Sequence, residues 1–132
     1  MSVTRYASNQ ILDYNFGKVA YTAPASFFMG LSTTTVGSSG SNATEPVGAS
    51  YARQEIVNSK TNFTYSSNGC LVNAVTITFP ESSGSWGTII DVALWDSLTS
   101  GSIWYYTTLP SSKIVQTTTV VSFSPSAIAI SI

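Results

Sequence analysis

The densest apolar stretch of the chain lies between Gly84 and Asp96, and it predicts a central strand. Alternate positions share a face of a strand, so one face carries Ile90, Val92 and Leu94 and the other carries Asp91, Ala93 and Trp95. Both faces bear apolar side chains, which indicates cover on both sides by a second sheet, a helix or a neighbouring subunit. Gly84 and Gly87 flank Trp86 and shape the turn into this strand.

The rest of the chain contains further segments with the alternation and composition of strands. They span residues 26–32, 51–57, 70–79, 103–109, 113–123 and 127–132, with a short one around Phe63 and Tyr65. Pro80, Pro110 and Pro125 separate several of them as turn signals. Seven or eight short strands predict a mainly β fold, an antiparallel β-sandwich or jelly roll.

One helix is predicted, over residues 3–16, with Ser2 as its N-cap and Gly17 as the left-handed residue after its end. Its wide apolar stripe, which includes Tyr6 and Tyr14, should pack on a sheet or against a partner subunit. Residues 33–50 form a long Gly/Ser-rich loop, for which composition indicates flexibility unless a partner pins it. We therefore expect a single β-sandwich domain over residues 1–132, consistent with a length suited to one core.

The composition narrows the classes of partner. Only 8% of the residues are charged, against roughly a quarter in typical domains, so the polar surface consists of Ser, Thr and Asn, as in extracellular adhesins and virion proteins. The net charge is −1 and the five basic residues are scattered, which argues against nucleic acid as a partner. The chain has no apolar run of membrane-spanning length and no apolar signal core near its start. We expect synthesis in a cytoplasm and no membrane association.

The sequence contains few residues of the types that form catalytic or metal-binding sites. It contains no histidine and one cysteine, so we expect no catalytic site, no metal site and no cofactor. Asp91 and Asp96 are the only close pair of acids, but an odd spacing places them on opposite faces of a strand, which disfavours a hydrolase. Asp96 should start a turn, and Asp91 should face solvent or pair with a base. Arg53 should pair with Glu55, and Cys70 should be a buried structural thiol.

Aromatic and terminal side chains are the remaining candidates for contacts. Most of the aromatic residues should fill the core, and Trp86, which lies in a turn beside two glycines, is the expected exception that could stack on a sugar. Tyr6 and Tyr14 could contact a partner through the helix. Ile132, in an apolar last strand, should be tucked into the sheet or against a neighbour. The candidate contact residues are therefore Trp86, Tyr6, Tyr14 and Ile132.

Several segments together resemble a family of small tailed-bacteriophage virion proteins, often labelled tail fibre proteins. The segments are Tyr6…Asn9…Leu12-Asp13…Phe16-Gly17, Tyr21-Thr22-Ala23-Pro24, Phe28-Met29-Gly30-Leu31-Ser32, Gly48…Tyr51-Ala52-Arg53-Gln54 and Ile77-Thr78-Phe79-Pro80…Gly84-Ser85-Trp86-Gly87-Thr88-Ile89. The resemblance covers most of the chain and carries no catalytic motif.

The resemblance implies a non-enzymatic structural protein of the virion, made in the cytoplasm of the bacterial host. It would be an accessory subunit that packs in many copies, either associated with the tail or fibre or decorating the capsid as a cement protein. Its expected partners are itself, in a homo-oligomer, and major capsid or tail proteins. The alternative is a carbohydrate-binding or host-adhesion module that uses exposed aromatic residues to bind a host-surface glycan.

Overall fold

The computed structural model describes residues 1–20 and 22–132, so Tyr21, which belongs to one of the segments that carry the family resemblance, lies outside the described residues. Within these ranges the chain forms nine strands and one helix. In chain order they are β1 (Ser2–Val3), α1 (Arg5–Asn15), β2 (Ser26–Ser32), β3 (Gln54–Val57), β4 (Cys70–Val72), β5 (Ile77–Thr78), β6 (Gly87–Trp95), β7 (Ile103–Val115), β8 (Ser122–Phe123) and β9 (Ala129–Ser131). The predicted fold class, mainly β with antiparallel pairing and one N-terminal helix, is confirmed.

A five-stranded antiparallel sheet forms one layer, in the order β1-β7-β6-β2-β3. Two antiparallel ribbons, β4-β9 and β5-β8, form the opposing layer. The main core lies between them in a sandwich-like arrangement. It joins Met29, Leu31, Val92 and Leu94 of the large sheet to side chains in the ribbons or directly next to them, among them Ile77, Phe79, Ile128 and Ile130.

The predicted central strand is β6, which lies in the middle of the five-stranded sheet and has both faces buried at its C-terminal half. Val92 and Leu94 face the main core as predicted, but Ile89, rather than Ile90, joins them there. The reason is a bulge: Ile89 pairs with Lys113 and Asp91 pairs with Thr108, so the alternation changes phase at Ile90.

The second face of this sheet is covered by the Gly/Ser-rich loop of residues 33–50. Val36 of the loop is fully buried in a second apolar cluster with Ala93, Trp95 and Ile103. Thr33 and Thr44 hold the base of the loop together, since the Thr33 N–H donates to the Thr44 carbonyl at 2.9 Å. The loop therefore has contacts within its own chain that hold it, and it supplies cover that the sequence assigned to a helix or another subunit.

The turn predicted at Pro110-Ser111-Ser112 is a bulge inside one long strand. Residues 109–112 of β7 lie opposite Ile90 alone, so Pro110 is placed where the ladder needs no N–H donor. The predicted strand over residues 113–123 is divided: β7 ends at Val115, and β8 covers only Ser122 and Phe123. Thr118 between them has a positive φ of 62°, which a regular strand cannot contain.

The helix begins later than predicted, because Ser2 and Val3 pair with β7 as a short strand. Thr4 is the N-cap: its Oγ accepts from the Ala7 N–H at 3.2 Å and donates to the Ile103 carbonyl at 2.6 Å. Ser2 is therefore wrong as the cap. The predicted end is confirmed, since Gly17 has a φ of +70° and the Lys18 N–H bonds to the Asp13 carbonyl at 2.8 Å.

Two other predicted strands are shorter in the structure. The segment 51–57 is a strand only over β3, and the segment 70–79 is interrupted between β4 and β5. Asn73 causes this interruption, because its buried side chain bonds to the Val75 and Ser124 carbonyls and to the Ile128 N–H. A side chain that replaces ladder bonds in this way ends regular pairing.

Candidate functional site

The two neighbouring acids both serve as hydrogen-bond acceptors for the backbone. Asp91 is fully buried, and its Oδ2 accepts from the Val36 N–H at 2.8 Å, so the expectation that it faces solvent or a base is wrong. Asp96 accepts from the Ser102 N–H at 2.8 Å and from Trp104 Nε1 at 3.1 Å, which confirms its predicted role in the turn. Asp91 Oδ1 is buried without a hydrogen-bond partner in the part of the chain that the structure describes.

A buried polar cluster connects the loop ahead of β3 to the turn after β6. The Arg53 guanidinium pairs with Glu45 through Nε at 3.0 Å and a terminal nitrogen at 2.7 Å, and its other terminal nitrogen donates to the Ser97 and Ser100 carbonyls. The predicted pairing of Arg53 with Glu55 is therefore wrong. Although both lie on one side of a local strand pattern, the chain at Arg53 precedes β3 and turns towards Glu45.

Aromatic rings complete this cluster. The Arg53 guanidinium carbon lies 4.1 Å from the centre of the Trp95 ring. The Tyr51 hydroxyl donates to Glu45 at 2.7 Å and accepts from the Leu31 N–H at 2.9 Å. Burial of the ring and then its bond to Glu45 raise the pKa of Tyr51 above its ordinary value, because both disfavour the phenolate. Four of the five guanidinium N–H groups are used within the chain, so the cluster fastens loops rather than binding a ligand.

Trp86 lies in the main core, so the expectation that it is the exposed aromatic residue is wrong. Its exposed fraction is 3%, and its Nε1–H donates to the Ala49 carbonyl at 2.8 Å. The ring packs edge-on against Tyr51 and lies 6.3 Å from the ring of Phe79. The glycines beside Trp86 form a turn that brings the indole inwards, where it cannot meet a sugar.

The other three predicted contact residues are exposed. Tyr6, Tyr14 and Ile132 have exposed fractions of 40, 53 and 77%, so Ile132 is not tucked into the sheet of its own chain. Tyr6 also packs edge-on against Trp104 at 5.7 Å. Whether any of the three contacts a partner stays a prediction.

Large apolar side chains are also exposed around the C-terminal end of α1. We call Leu12, Phe16 and Val19 the helix patch; their exposed fractions are 53, 74 and 48%. Only Ala7 of α1 is buried, so the helix contributes little to the core of this chain. Exposed apolar surface is typical of interaction sites, so these side chains are candidates for contact with a partner.

An open groove that the sequence did not reveal lies beside the β4-β9 ribbon. It has a volume of about 370 Å³ and is lined mainly by apolar and aromatic side chains, together with Lys60 and small polar residues. We call it the Tyr65 groove; its apolar lining comprises Phe27, Phe63, Tyr65, Leu71, Tyr105 and Ile130. The placement of Phe63 and Tyr65 in one short segment was the only available signal, because the other walls are distant in sequence.

The groove continues into a smaller one of about 210 Å³ at the end of the ribbon. Leu71, Tyr105 and Ile130 line both, and Cys70 and Ile132 belong to the smaller one. Cys70 is a free, half-buried thiol. Within residues 1–20 and 22–132, no group of three or more His, Cys, Asp or Glu side chains could hold a metal ion. In the same ranges, no helix is long and apolar enough to cross a membrane.

Comparison of the sequence with known protein families identifies the family of this chain. A family model described as "Podophage GP4 fiber I protein gp80" matches residues 2–131, nearly the whole chain. The match confirms the resemblance to tailed-phage virion proteins labelled as tail fibre proteins. No curated protein matches the chain.

Proposed function

Because the chain belongs to the podophage GP4 fiber I protein gp80 family and is thus a fibre-type structural component of a phage virion, we propose that it is a non-enzymatic accessory subunit. It packs in many copies on the particle and is attached to the tail or fibre. Its partners are other copies of itself and tail proteins, and it is made in the cytoplasm of the host.

The exposed helix patch is the observation that supports assembly most directly. Phe16 leaves about three quarters of its side chain in water, at 74% exposure, and Leu12 lies one helical turn before it. Burying a large apolar side chain stabilises a contact by roughly 1.5–3 kcal/mol. Since only 8% of the residues are charged, few ions would lose water when copies pack side by side.

The family description favours the tail over the head, since it refers to a fibre protein. Decoration of the capsid as a cement protein is the competing role for the same accessory subunit. Gold-labelled antibody against the protein, viewed on intact virions by electron microscopy, separates the two. We expect label on the tail or its fibres; label spread over the head would overturn the proposal in favour of cement.

Host adhesion through a glycan is the second candidate, and the Tyr65 groove favours it. Tyr65 is 81% exposed, which suits stacking of its ring on a sugar, and polar side chains lie along the groove. A glycan array probed with the wild-type chain and with Tyr65→Ala tests this role. Binding that Tyr65→Ala abolishes would support adhesion, and absence of binding to glycans and host cells would remove it.

The absence of an enzymatic role rests on how the acids are used. Asp91 and Asp96 each accept backbone N–H bonds in structural positions, and the chain contains no histidine. We therefore expect no hydrolysis of polysaccharides from the host surface. Hydrolysis that Asp91→Asn or Asp96→Asn removed from a folded protein would contradict this part of the proposal.

A further inference from the structure

We propose that Asn68 is a site of spontaneous chemical modification, at which the side-chain amide is lost and part of the protein acquires an isoaspartate in its main chain. The chain contains seven asparagines, and Asn68 is the only one that a glycine follows. Asparagine is a thermally labile residue, and a following glycine favours the reaction because it has no Cβ and adopts the conformations that ring closure needs. This inference goes beyond the proposed function and does not depend on it.

Asn68 and Gly69 are the two central residues of a tight hairpin turn. Their φ angles are +53° and +73°, the left-handed values that a type I′ turn requires at both positions. Ser67 and Cys70 flank the turn and exchange two backbone bonds: the Ser67 N–H donates to the Cys70 carbonyl at 2.8 Å, and the Cys70 N–H donates back at 3.1 Å. The same hairpin carries Tyr65, so it forms part of the wall of the Tyr65 groove.

Both reacting groups are accessible. Asn68 and Gly69 are exposed, and among the described residues no hydrogen bond holds the Asn68 amide or the Gly69 N–H. A Cβ added at Gly69 would meet no heavy atom within 4 Å, so nothing crowds the approach to its nitrogen. The side-chain carbon and this nitrogen meet when the turn opens, and exposed tips of hairpins open at a small cost in free energy.

The other six asparagines lack this combination of features. Three of them use their side chains to donate hydrogen bonds to backbone carbonyls, two lie in the hydrogen-bonded backbone of α1, and one precedes an alanine in the Gly/Ser-rich loop. In the same order they are Asn58, Asn62 and Asn73; Asn9 and Asn15; and Asn42. Modification should therefore begin at Asn68 and not at these positions.

The reaction needs only water. The Gly69 nitrogen loses its proton and attacks Asn68 Cγ; a bond forms between these two atoms, the bond from Cγ to Nδ2 breaks, and Nδ2 leaves as ammonia. The product is a cyclic succinimide. Water then opens the ring at one of two bonds. Cleavage between the Gly69 nitrogen and Cγ gives aspartate, and cleavage between that nitrogen and the main-chain carbonyl carbon gives isoaspartate. Nothing is oxidised or reduced, and each product carries one additional negative charge.

Isoaspartate changes the wall of the Tyr65 groove. It adds one carbon to the main chain of a turn whose length fixes the register of the hairpin. The Thr64 N–H donates to the Val72 carbonyl at 3.0 Å, so a loosened turn also weakens the pairing of the strand segment that carries Tyr65. The chain is a virion component, and a released particle does not replace its subunits, so the modified fraction should increase with the age of the particle.

Ageing of the purified full chain tests the proposal. The intact mass should rise by about 1 Da, because an amide NH₂ is replaced by OH, and peptide mapping should assign the change to Asn68 as a mixture of aspartate and isoaspartate. The rate should increase with pH, by up to about tenfold per unit, since the reaction starts from the deprotonated Gly69 nitrogen. The six other asparagines are internal controls and should stay unmodified over the same period.

Two variants separate the reaction from its consequence. Asn68→Gln should show no gain in mass, because its longer side chain would have to close a larger ring. Asn68→Asp supplies the aspartate product with a normal main chain. The isoaspartate form, isolated by ion exchange, should exchange the Cys70 amide proton about tenfold faster than Asn68→Asp does. Circular dichroism should show that both variants are folded, because the turn is exposed.

A synthetic peptide of residues 63–73 verifies that the conditions allow the reaction. If the peptide gains mass and the folded chain does not, the turn protects Asn68 and the proposal is wrong. Modification of another asparagine before Asn68 would also overturn it. Equal exchange at Cys70 in the isoaspartate form and in Asn68→Asp would contradict the predicted change in the groove. Since none of these results depends on where gold label binds the virion, failure of this inference is distinguishable from failure of the proposed function.

Discussion

Replacement of Arg53 tests whether the buried polar cluster holds the fold together. Arg53→Ala removes two charge-assisted bonds to the Ser97 and Ser100 carbonyls, each 2.7 Å long, which together contribute about 3 kcal/mol. Loss of the contact with Trp95 adds about 1 kcal/mol. The pair with Glu45 adds little, because the Glu45 side chain is 24% exposed and water can solvate it. We expect the free energy of unfolding to fall by about 3–4 kcal/mol.

Urea unfolding followed by circular dichroism and tryptophan fluorescence measures this loss, and the melting temperature should fall by roughly 10–15 °C. Arg53→Lys keeps the charge but loses the planar fork, so it should recover less than half of the loss. Arg5→Ala is the matched control, since it removes the same charge from an exposed position at the start of α1. If Arg53→Ala costs under about 1 kcal/mol, as a surface ion pair would, the cluster does not fasten the loops and the reasoning is wrong.

Three further substitutions test other parts of the fold. Asp91→Ala should lower the free energy of unfolding by about 2 kcal/mol and speed amide exchange at Val36, because the Val36 N–H loses its acceptor. Asp91→Asn keeps an acceptor and should recover part of both effects. Unchanged amide exchange at Val36 would refute the link between Asp91 and the loop. In urea unfolding, Thr4→Ala should lower the free energy of unfolding by about 1–2 kcal/mol, whereas Ser2→Ala should change it by less than about 0.5 kcal/mol. Equal effects of the two substitutions would contradict Thr4 as the N-cap. For Tyr51 the raised pKa means that the folded chain keeps a proton that the unfolded chain releases above about pH 10, so stability should fall as pH rises beyond that value. Tyr51→Phe should flatten this slope in urea unfolding between about pH 8 and 11, and an identical slope would contradict the burial of its hydroxyl.

Local sequence patterns correctly predicted the strands that have regular geometry. The strand predicted over residues 26–32 is β2, in which Met29 and Leu31 face the main core and Phe27 packs beside them. Gly30 of the same strand lies where an added Cβ would be 2.6 Å from the Trp95 ring. These predictions succeeded because a side chain in a regular strand has its direction set by its position alone.

The predictions failed where a side chain or a bulge replaces the regular ladder. Ile90 loses its place in the core to Ile89 because four residues of β7 lie opposite it. Asn73 ends β4 through bonds to residues about fifty positions away, a distance over which a local pattern carries no information. The Arg53 partner was wrong for the same reason, since the chain must fold before Glu45 approaches it.

The two candidate contact surfaces also differ in how far the sequence predicted them. An apolar stripe over residues 3–16 was visible in the sequence, and the structure shows that much of it, including Leu12 and Phe16 of the helix patch, stays exposed. The Tyr65 groove was not visible, because Phe27, Phe63 and Ile130 come together only when three separate segments meet.

The sequence by itself determined the fold class, the helix with its end at Gly17, the central strand and the low charge of the surface, since these depend on residue type and periodicity. Only the tertiary structure decided what covers that strand. Its second face is closed by Val36 from the Gly/Ser-rich loop, held by buried Asp91. Trp86 at the start of the same stretch is core rather than surface. The physical reason is that burial depends on which distant segments pack together, and composition alone cannot specify those contacts.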